Sequence, residues 1–152
     1  MRITAKADYA VRAAIELAGA GAAGPVKAEQ ISEAQGIPLN FLENILAELR
    51  RAGIVESRRG AAGGHLLARP AAEISLADVI RAVEGPLANV RGISPDALAY
   101  EGSAARLRDV WVALRASVRA VLEQVTLADV AGGDLPAHVV ELTQGDDAWV
   151  RR

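Results

Sequence analysis

Apolar residues recur every three or four positions through the first third of the chain, and this spacing is typical of amphipathic helices. Three helices are predicted there, at Thr4–Ala18, Val26–Gln35 and Leu39–Ala52. The predicted buried residues are Ile3, Ala7, Ala10, Val11, Ala14, Ile15 and Ala18 in the first helix, Ala28, Ile31 and Ala34 in the second, and Leu42, Ile45, Leu46 and Leu49 in the third. The pattern therefore predicts a helical N-terminal unit.

A three-residue turn, Gly36-Ile37-Pro38, separates the second and third predicted helices. Glycine at a helix end favours the left-handed conformation, and proline is accepted where the next helix opens. We expect Ile37 to enter the core between them. The outward face of the third helix is mostly polar, and it carries Asn40, Phe41, Glu43, Asn44, Glu48 and Arg51.

A glycine-rich basic hairpin follows at once. Two short strands are predicted at Ile54–Arg58 and His65–Ala68, joined by the loop Arg59–Gly64. Glycines at 60, 63 and 64 allow a tight, protruding turn, and Arg58 and Arg59 stand where the first strand runs into it. Two helices joined by a short turn and followed by such a hairpin are typical of a winged helix-turn-helix.

The dimensions of these elements suggest how they would meet DNA. The second helix of a helix-turn-helix fits the major groove, where polar side chains can read base edges. A slim loop with an arginine at its edge suits the narrow, electronegative minor groove.

Beyond the hairpin, the sequence predicts a short helix, a loop and one long helix. Ser75-Leu-Ala-Asp78 resembles a capping box, and the helix that it opens ends at Gly85. Leu87–Ser103 has no period and is predicted to be a loop, or lid. Ala104–Val125 has apolar residues at spacings of three and four over its whole length. Its own chain offers little surface to cover them, so a second copy is the economical partner. The alternative is that this helix lies across the N-terminal helix, and the two arrangements are compatible. The residues predicted at this dimer interface are Leu107, Val110, Trp111, Leu114, Val118, Val121, Leu122 and Val125.

Four regions are thus predicted: a winged domain at 1–86, a loop at 87–103, the dimerisation helix with a short following helix at 104–131, and a tail at 132–152. Thr126-Leu-Ala-Asp129 opens the short helix and repeats the chemistry of the earlier capping box. The polar segment Asp134–Arg152 is expected to be partly disordered. The fold class is mainly α with a small β-hairpin wing.

Composition narrows the class of protein. A hydrophobic share of 51% with only 3% aromatics favours helices over an all-β fold, because alanine supplies much of it. The absence of cysteine excludes disulfides and cysteine-ligated metal or iron–sulfur sites. The first apolar run contains an Asp and a Glu, so we expect a helix of a cytoplasmic protein rather than a signal peptide or membrane span.

The net charge of −2 hides an uneven distribution. Residues 1–70 contain nine Lys and Arg against seven Asp and Glu, and residues 71–152 contain eight against twelve. Residues 50–69 carry five arginines and one glutamate. Because local charge decides where a polyanion docks, this part of the chain is the candidate DNA-binding surface. A merely solvated basic face would have the same composition.

Four segments together resemble the Rrf2 family of bacterial regulators, of the IscR, NsrR and CymR type. They are MRITAKADYAVRA, QISEAQGIPLNFLENILAELRRAGIVESRRGAAGGHLLARP, ISLADVIRAVEGPL and VTLADV, and the resemblance covers about residues 1–130. It implies a winged helix-turn-helix with a long dimerisation helix, which binds palindromic operators as a homodimer. Repression is the commoner mode in the family, and activation is the other.

Positions carried over from the family sharpen the predicted site. The reading helix corresponds to Leu39–Arg51, with Asn40, Phe41 and Glu43 nearest the bases, and the wing arginine corresponds to Arg59. With the basic and loop residues added, the predicted DNA-binding set is Lys27, Asn40, Phe41, Glu43, Asn44, Arg50, Arg51, Arg58, Arg59, Gly60, Gly63, Gly64 and His65. His65 stands where the family usually has tyrosine, so a packing role in the wing is expected.

Many members of the family hold an iron–sulfur cluster through three cysteines before the long helix. The corresponding window, Arg91–Arg106, has none, and Gly92 stands about where the first would be. Asp8 matches a position from which some members supply a non-cysteine ligand, but one carboxylate cannot hold a cluster. We therefore expect no cluster, no other metal and no cofactor.

Two other classes of function and one ligand question stay open at this stage. An enzyme is disfavoured, because the two histidines, His65 and His138, lie far apart and no nucleophile or paired carboxylate stands out. A winged helix that recruits a protein partner without reading DNA is the second alternative. A pocket between the loop, the first helix and the long helix could hold a small molecule, a protein partner or nothing. Its candidate wall residues are Arg91, Tyr100 and Trp111, and packing or solvation is the alternative role for each of them.

Overall fold

A computed structural model describes residues 2–151. In this range the chain forms seven α-helices and one antiparallel pair of strands. The elements are α1 (Ala5–Ala20), α2 (Ala28–Gln35), α3 (Leu39–Arg51), β1 (Val55–Arg58), β2 (Gly64–Leu67), α4 (Leu76–Glu84), α5 (Leu107–Leu122), α6 (Leu127–Gly132) and α7 (Ala137–Thr143). The expected class, mainly α with a hairpin wing, is confirmed. None of the helices in this range combines the length and hydrophobicity that a membrane span requires.

Helix α1 is the centre of the core. The side-chain oxygen of Thr4 accepts a hydrogen bond from the Ala7 amide at 3.0 Å, so the helix begins directly after Thr4. Its buried residues are mostly alanines, and these small side chains let α3, α4 and α6 pack closely against it. Ile3, predicted on the same face, is 66% exposed because it precedes the first helical turn.

The helix-turn-helix forms as the sequence predicts, with one exception. Gly36 adopts the left-handed conformation (φ 62°, ψ 37°), and Ile37 beside it is buried. Ala34 is exposed, contrary to the prediction. It lies about 120° around the helix from Ala28, and α2 ends before a neighbour can cover that side.

The hairpin pairs in a fixed register, from Val55 opposite Leu67 to Arg58 opposite Gly64. A third short segment joins its edge, because Val26 and His65 exchange two backbone hydrogen bonds at 2.8 and 2.7 Å. The wing is therefore anchored to the segment before α2 as well as to α3.

Helices α4 and α6 begin side by side. Each has a capping box, Ser75 with Asp78 and Thr126 with Asp129. Two backbone hydrogen bonds of 2.9 Å join the starts, from Leu76 N–H to the Val125 carbonyl and from the Leu127 N–H to the Ile74 carbonyl. Helix α6, which the sequence grouped with the dimerisation helix, therefore packs in the N-terminal core against α1.

Helix α5 is shorter than predicted. It spans Leu107–Leu122 instead of Ala104–Val125, and a separate 3-10 turn at Gly102–Ala104 precedes it. No residue of α5 is buried. Val125 lies beyond its end and is only 3% exposed, because its backbone joins the start of α4. Its prediction as a dimer-interface residue is therefore wrong.

The C-terminal segment contains a helix where partial disorder was expected. Helix α7 lies over Ala137–Thr143, and the His138 Nε2 atom is 3.0 Å from the Ala120 carbonyl oxygen of α5. The Trp149 indole N–H donates to the Thr143 carbonyl at 2.6 Å. The last residue of the predicted tail, Arg152, lies outside the described residues.

Candidate nucleic-acid interface

Helix α3 presents a polar face that is held in place from behind. Its four predicted apolar residues are at most 2% exposed, so the helix cannot rotate without opening the core. Opposite them, the four exposed side chains near its start are Asn40, Phe41, Glu43 and Asn44. Amide groups can pair with adenine edges, a carboxylate can accept from cytosine, and an aromatic ring can contact a thymine methyl group. This face therefore has the side-chain types that read bases in the major groove.

A groove flanks this face on the side of α1. It has a volume of about 540 Å³, and Phe41, Asn44 and Arg51 line it together with Tyr9. The Lys6 ammonium lies 2.9 Å from the Glu48 carboxylate and ties α1 to α3 beside it. Lys6 and Tyr9 were not among the predicted site residues, because no local sequence signal reports a contact between the first and third helices.

The two arginines of the wing differ in their surroundings. Arg58 is the last residue of β1, and its guanidinium lies 3.7 Å from the Glu56 carboxylate on the same strand. Arg59 is the first residue of the loop, is exposed, and forms no ion pair with the rest of residues 2–151. Gly60 beside it has φ +100°, a conformation that side chains with a Cβ resist. Arg59 is therefore an exposed cation without an ion pair among the described residues, at the start of the wing loop.

Gly63 and Gly64 shape the wing rather than face outwards. A Cβ at Gly63 would lie 2.1 Å from the Arg58 carbonyl oxygen, and one at Gly64 would lie 2.7 Å from the Val26 carbonyl group. Gly63 is also buried. Its prediction as a DNA-contacting residue is corrected accordingly: the backbone approaches too closely there for any other residue.

The remaining predicted residues lie around the base of the wing. His65 is half-buried in β2, with Nδ1 3.4 Å from the Ser57 hydroxyl, as a residue that packs the wing would be. Burial, and secondarily the charge of Arg50, lower the pKa of His65 below its ordinary value. Lys27 is exposed at the N-cap of α2, where its backbone N–H donates to the Gln30 side chain at 2.9 Å. Arg50 and Arg51 are exposed at the end of α3.

The apolar residues of α5 form two adjacent columns, an inner column that lines a cavity and an outer, free column that does not. Trp111, Leu114, Val118 and Leu122 line a cavity within the chain. Leu107, Val110 and Val121 lie outside that cavity, and Val110 is 54% exposed. The helix therefore offers a narrower free apolar surface than the predicted interface. Of the predicted effector-pocket residues, Arg91 and Trp111 line this cavity, whereas Tyr100 does not.

Comparison with known proteins decides the family. A family described as iron-dependent transcriptional regulators, Rrf2, matches residues 3–133. The chain belongs to the Rrf2 family. Among its relatives is a protein of Mycobacterium tuberculosis H37Rv named as an HTH-type transcriptional regulator, Rv1287, which is 56% identical over 93% of this chain and 88% of that protein. CymR of Bacillus subtilis, an HTH-type transcriptional regulator, is 35% identical over 86% of this chain and 90% of that protein.

Solved structures of Rrf2 proteins have the same fold. The structure of CymR, called the global cysteine regulator of B. subtilis, is 34% identical with a TM-score of 0.75, over 88% of this chain and 98% of that one. IscR from T. potens is also 34% identical, with a TM-score of 0.73, over 98% of this chain and 97% of that one. The resemblance inferred from the sequence is confirmed. This chain is a DNA-binding transcriptional regulator with a winged helix-turn-helix, and it is not an enzyme.

Residues 2–151 contain no set of ligands that matches the iron named in the family description. The sequence has no cysteine, and residues 2–151 contain no group of three or more His, Asp or Glu placed to hold a metal ion. Asp8 is engaged elsewhere: its carboxylate lies 2.9 Å from the Arg12 guanidinium, one turn along α1. The residues present therefore do not fit a cysteine-held iron–sulfur cluster.

Proposed function

We propose that this Rrf2 protein acts in the cytoplasm as a homodimer that binds a palindromic operator and represses transcription there, without an iron–sulfur cluster. One observation carries the proposal: α3 is fixed by four buried residues while its opposite face, with Asn40, Phe41, Glu43 and Asn44, stays open to solvent. A rigid helix with an exposed polar start fits the major groove. Arg59, at the start of the wing loop, would enter the adjacent minor groove.

The homodimer is proposed from the free column of α5. Leu107, Val110 and Val121 form an apolar strip outside the cavity, on a helix without a buried residue. A second copy would cover the strip by two-fold symmetry, and the two α3 helices would then read two half-sites of inverted sequence. Palindromic operators follow from that symmetry.

Selection of bound sequences from a random duplex pool, followed by gel shift at two salt concentrations, tests DNA reading. We expect an inverted repeat to emerge, and binding to weaken as salt rises because phosphate contacts release counterions. Asn44→Ala should reduce the preference for the selected sequence over random duplex. Gln124→Ala, an exposed amide beyond α5, is the matched control and should leave it unchanged.

The direction of regulation needs a separate measurement. We expect a reporter under the selected operator to be less transcribed when the protein is present, and Asn44→Ala to relieve that effect. Higher transcription with the protein present would make it an activator and contradict the proposed repression without affecting DNA binding.

An exposed aromatic residue favours one second candidate, a winged helix that recruits a protein partner. Phe41 is 63% exposed on the outer face of α3, and aromatic side chains are common in protein interfaces. This alternative predicts no binding to duplex even at low salt. Salt-sensitive binding that Asn44→Ala weakens would exclude it.

A further inference from the structure

A cavity of about 580 Å³ lies between the winged domain and α5, away from the face of α3. Its walls come from the start of α1, the end of α4, residues 85–91 and the inner column of α5. This volume lies within the range of about 300–1,000 Å³ that small-molecule sites have. The cavity is therefore large enough for a small organic molecule.

The walls are mainly apolar and contain one unsatisfied donor. The apolar wall residues include Ile3, Ile80, Leu87, Val90, Leu114 and Val118. The Trp111 indole N–H is shielded from solvent and has no hydrogen-bond partner in residues 2–151. A buried donor without an acceptor is unfavourable, and such groups in native proteins usually have a partner. A bound molecule with an acceptor oxygen could supply it.

The charged groups of the cavity favour an anion. Arg2 and Arg91 both line it, and neither forms an ion pair in the described part of the chain. The acidic residue of the lining, Glu84, accepts a hydrogen bond from the Thr4 hydroxyl, which occupies one of its oxygens. The balance of formal charge in the lining is therefore positive.

The segment that carries Arg91 has a defined, strained conformation. Ala88 and Arg91 both have φ +53°, which residues with a Cβ rarely adopt. Asn89 between them holds the turn, because its side-chain oxygen accepts from the Gly92 amide at 3.0 Å. Val90 and Ile93 also exchange backbone hydrogen bonds at 2.9 and 3.0 Å. Strain of this kind often occurs at ligand-binding sites.

We propose that this cavity binds a small carboxylic acid with an apolar body. The hydrocarbon part lies against the apolar walls, the carboxylate is attracted by Arg2 and Arg91, and an oxygen accepts the Trp111 N–H. Binding itself does not depend on the proposed function. A regulatory effect does, because α1 forms one wall and is joined to α3 through the Lys6–Glu48 ion pair.

The two tryptophans of the chain allow a direct test. Trp149 is 77% exposed and does not line the cavity, so Trp149→Phe leaves Trp111 as the single indole fluorophore. Hexanoate, octanoate and decanoate are titrated into this variant at pH 7, with 1-octanol as the neutral probe. We expect a saturable change in Trp111 emission with a Kd for one of the acids below about 1 mM, in the range of weak but specific binding.

Calorimetry on cavity variants assigns the interaction. Arg91→Ala should weaken binding of the acid roughly tenfold and of 1-octanol less than about twofold, since only the acid loses a charge partner. Trp111→Phe keeps an aromatic ring but removes the donor, and should weaken both roughly tenfold. Arg106→Ala, on a 91% exposed side chain outside the cavity, is the control.

Three results would overturn the site. The first is no saturable binding of any probe to the folded protein. The second is binding that both Arg91→Ala and Trp111→Phe leave unchanged, which would place the probe elsewhere. The third is binding that disappears when sedimentation shows the dimer, because a second copy would then fill the cavity. None of these outcomes depends on whether the protein binds DNA.

Discussion

Helices α3 and α5 have similar sequence patterns, but the fold buries the apolar residues of α3 and leaves those of α5 partly exposed. Both are amphipathic, with apolar residues at threes and fours. In α3 the four residues of that face are at most 2% exposed, whereas α5 has no buried residue. The difference lies in their neighbours. Helix α3 packs against α1, α4 and the hairpin, whereas α5 contacts mainly the 3-10 turn Pro95–Ala97 and part of α4, and otherwise faces a cavity and solvent.

This contrast separates two kinds of helix in a regulator. The orientation of α3 is determined by its own chain, so the face it offers to DNA is preformed. No residue of α5 is buried by its own chain, so the proposed second copy and the proposed ligand would both contact apolar side chains of this helix. In the proposed function, α3 would contact the operator and α5 would respond to dimerisation and to the bound ligand.

The largest expected effect tests the rigidity of α3. Leu49→Ala removes a fully buried side chain, so we expect the free energy of unfolding to fall by about 2–5 kcal/mol in urea titrations. Val110→Ala on α5 is the matched control, and at concentrations where the protein is monomeric it should change the value by less than about 0.5 kcal/mol. Equal losses in both variants would remove the contrast.

The second prediction concerns the free column of α5. The double variant Val110→Asp, Val121→Asp places two charges on the proposed dimer surface, so its dissociation constant should rise roughly hundredfold or more. Sedimentation equilibrium measures this, and circular dichroism confirms that the monomer stays folded. The control is Val140→Asp, on an exposed residue of α7. A dimer mass that persists in the double variant would place the interface elsewhere.

The third prediction compares the two wing arginines. Arg59→Ala should weaken binding to the selected operator by about 1–3 kcal/mol, as expected for one groove contact. Arg58→Ala should have a smaller effect, because Arg58 already interacts with Glu56. Fluorescence anisotropy at fixed salt measures both. An unchanged affinity for Arg59→Ala would remove that residue from the DNA-binding site.

The smallest expected effect is the pH dependence of the wing. The pKa of His65 lies below 6.5 in the folded protein, so the unfolded chain binds the proton more readily. The contribution of His65 to stability is therefore complete above pH 6.5 and declines as the pH falls from there through the lowered pKa. We expect a lower urea midpoint at pH 5.5 than at pH 7.5.

Variants of the two histidines isolate this effect. His65→Gln should reduce the difference between the two pH values, whereas His138→Gln, on an exposed histidine of α7, should retain it. If the pH dependence were the same in wild type and His65→Gln, another group would be responsible.

The N-terminal elements could be predicted because their signals are local. Gly36 and Pro38 indicate the turn, and the buried leucines and isoleucine of α3 recur on one helical face. The glycines at 60, 63 and 64 indicate the hairpin loop. The end of α5 could not be predicted in this way. Val125 continues the helical spacing, but its backbone carbonyl pairs with Leu76, almost fifty residues earlier in the chain. That hydrogen bond joins distant segments of the chain, so the spacing of apolar residues cannot predict it.

The sequence predicts which types of residue form the candidate site, but it does not predict the role of each residue. The exposed polar residues of α3 follow from the helical pattern alone. Whether a wing residue faces outwards depends on close backbone approaches, and for this reason Gly63 was placed on the surface although it is buried. Which apolar residues of α5 line the cavity depends on the position of residues 85–91. That segment has no regular spacing of apolar residues, so the sequence does not predict where it lies.

The two hydrogen bonds between the starts of α4 and α6 have a consequence for how such a chain can evolve. The polypeptide leaves the core at Gly85 and re-enters it at Val125, close to the start of α4. The 39 residues between them are thus a closed insertion with both ends secured. Their length and chemistry can be exchanged without cutting the DNA-reading module, so one scaffold can acquire new sensors by replacement of a single segment.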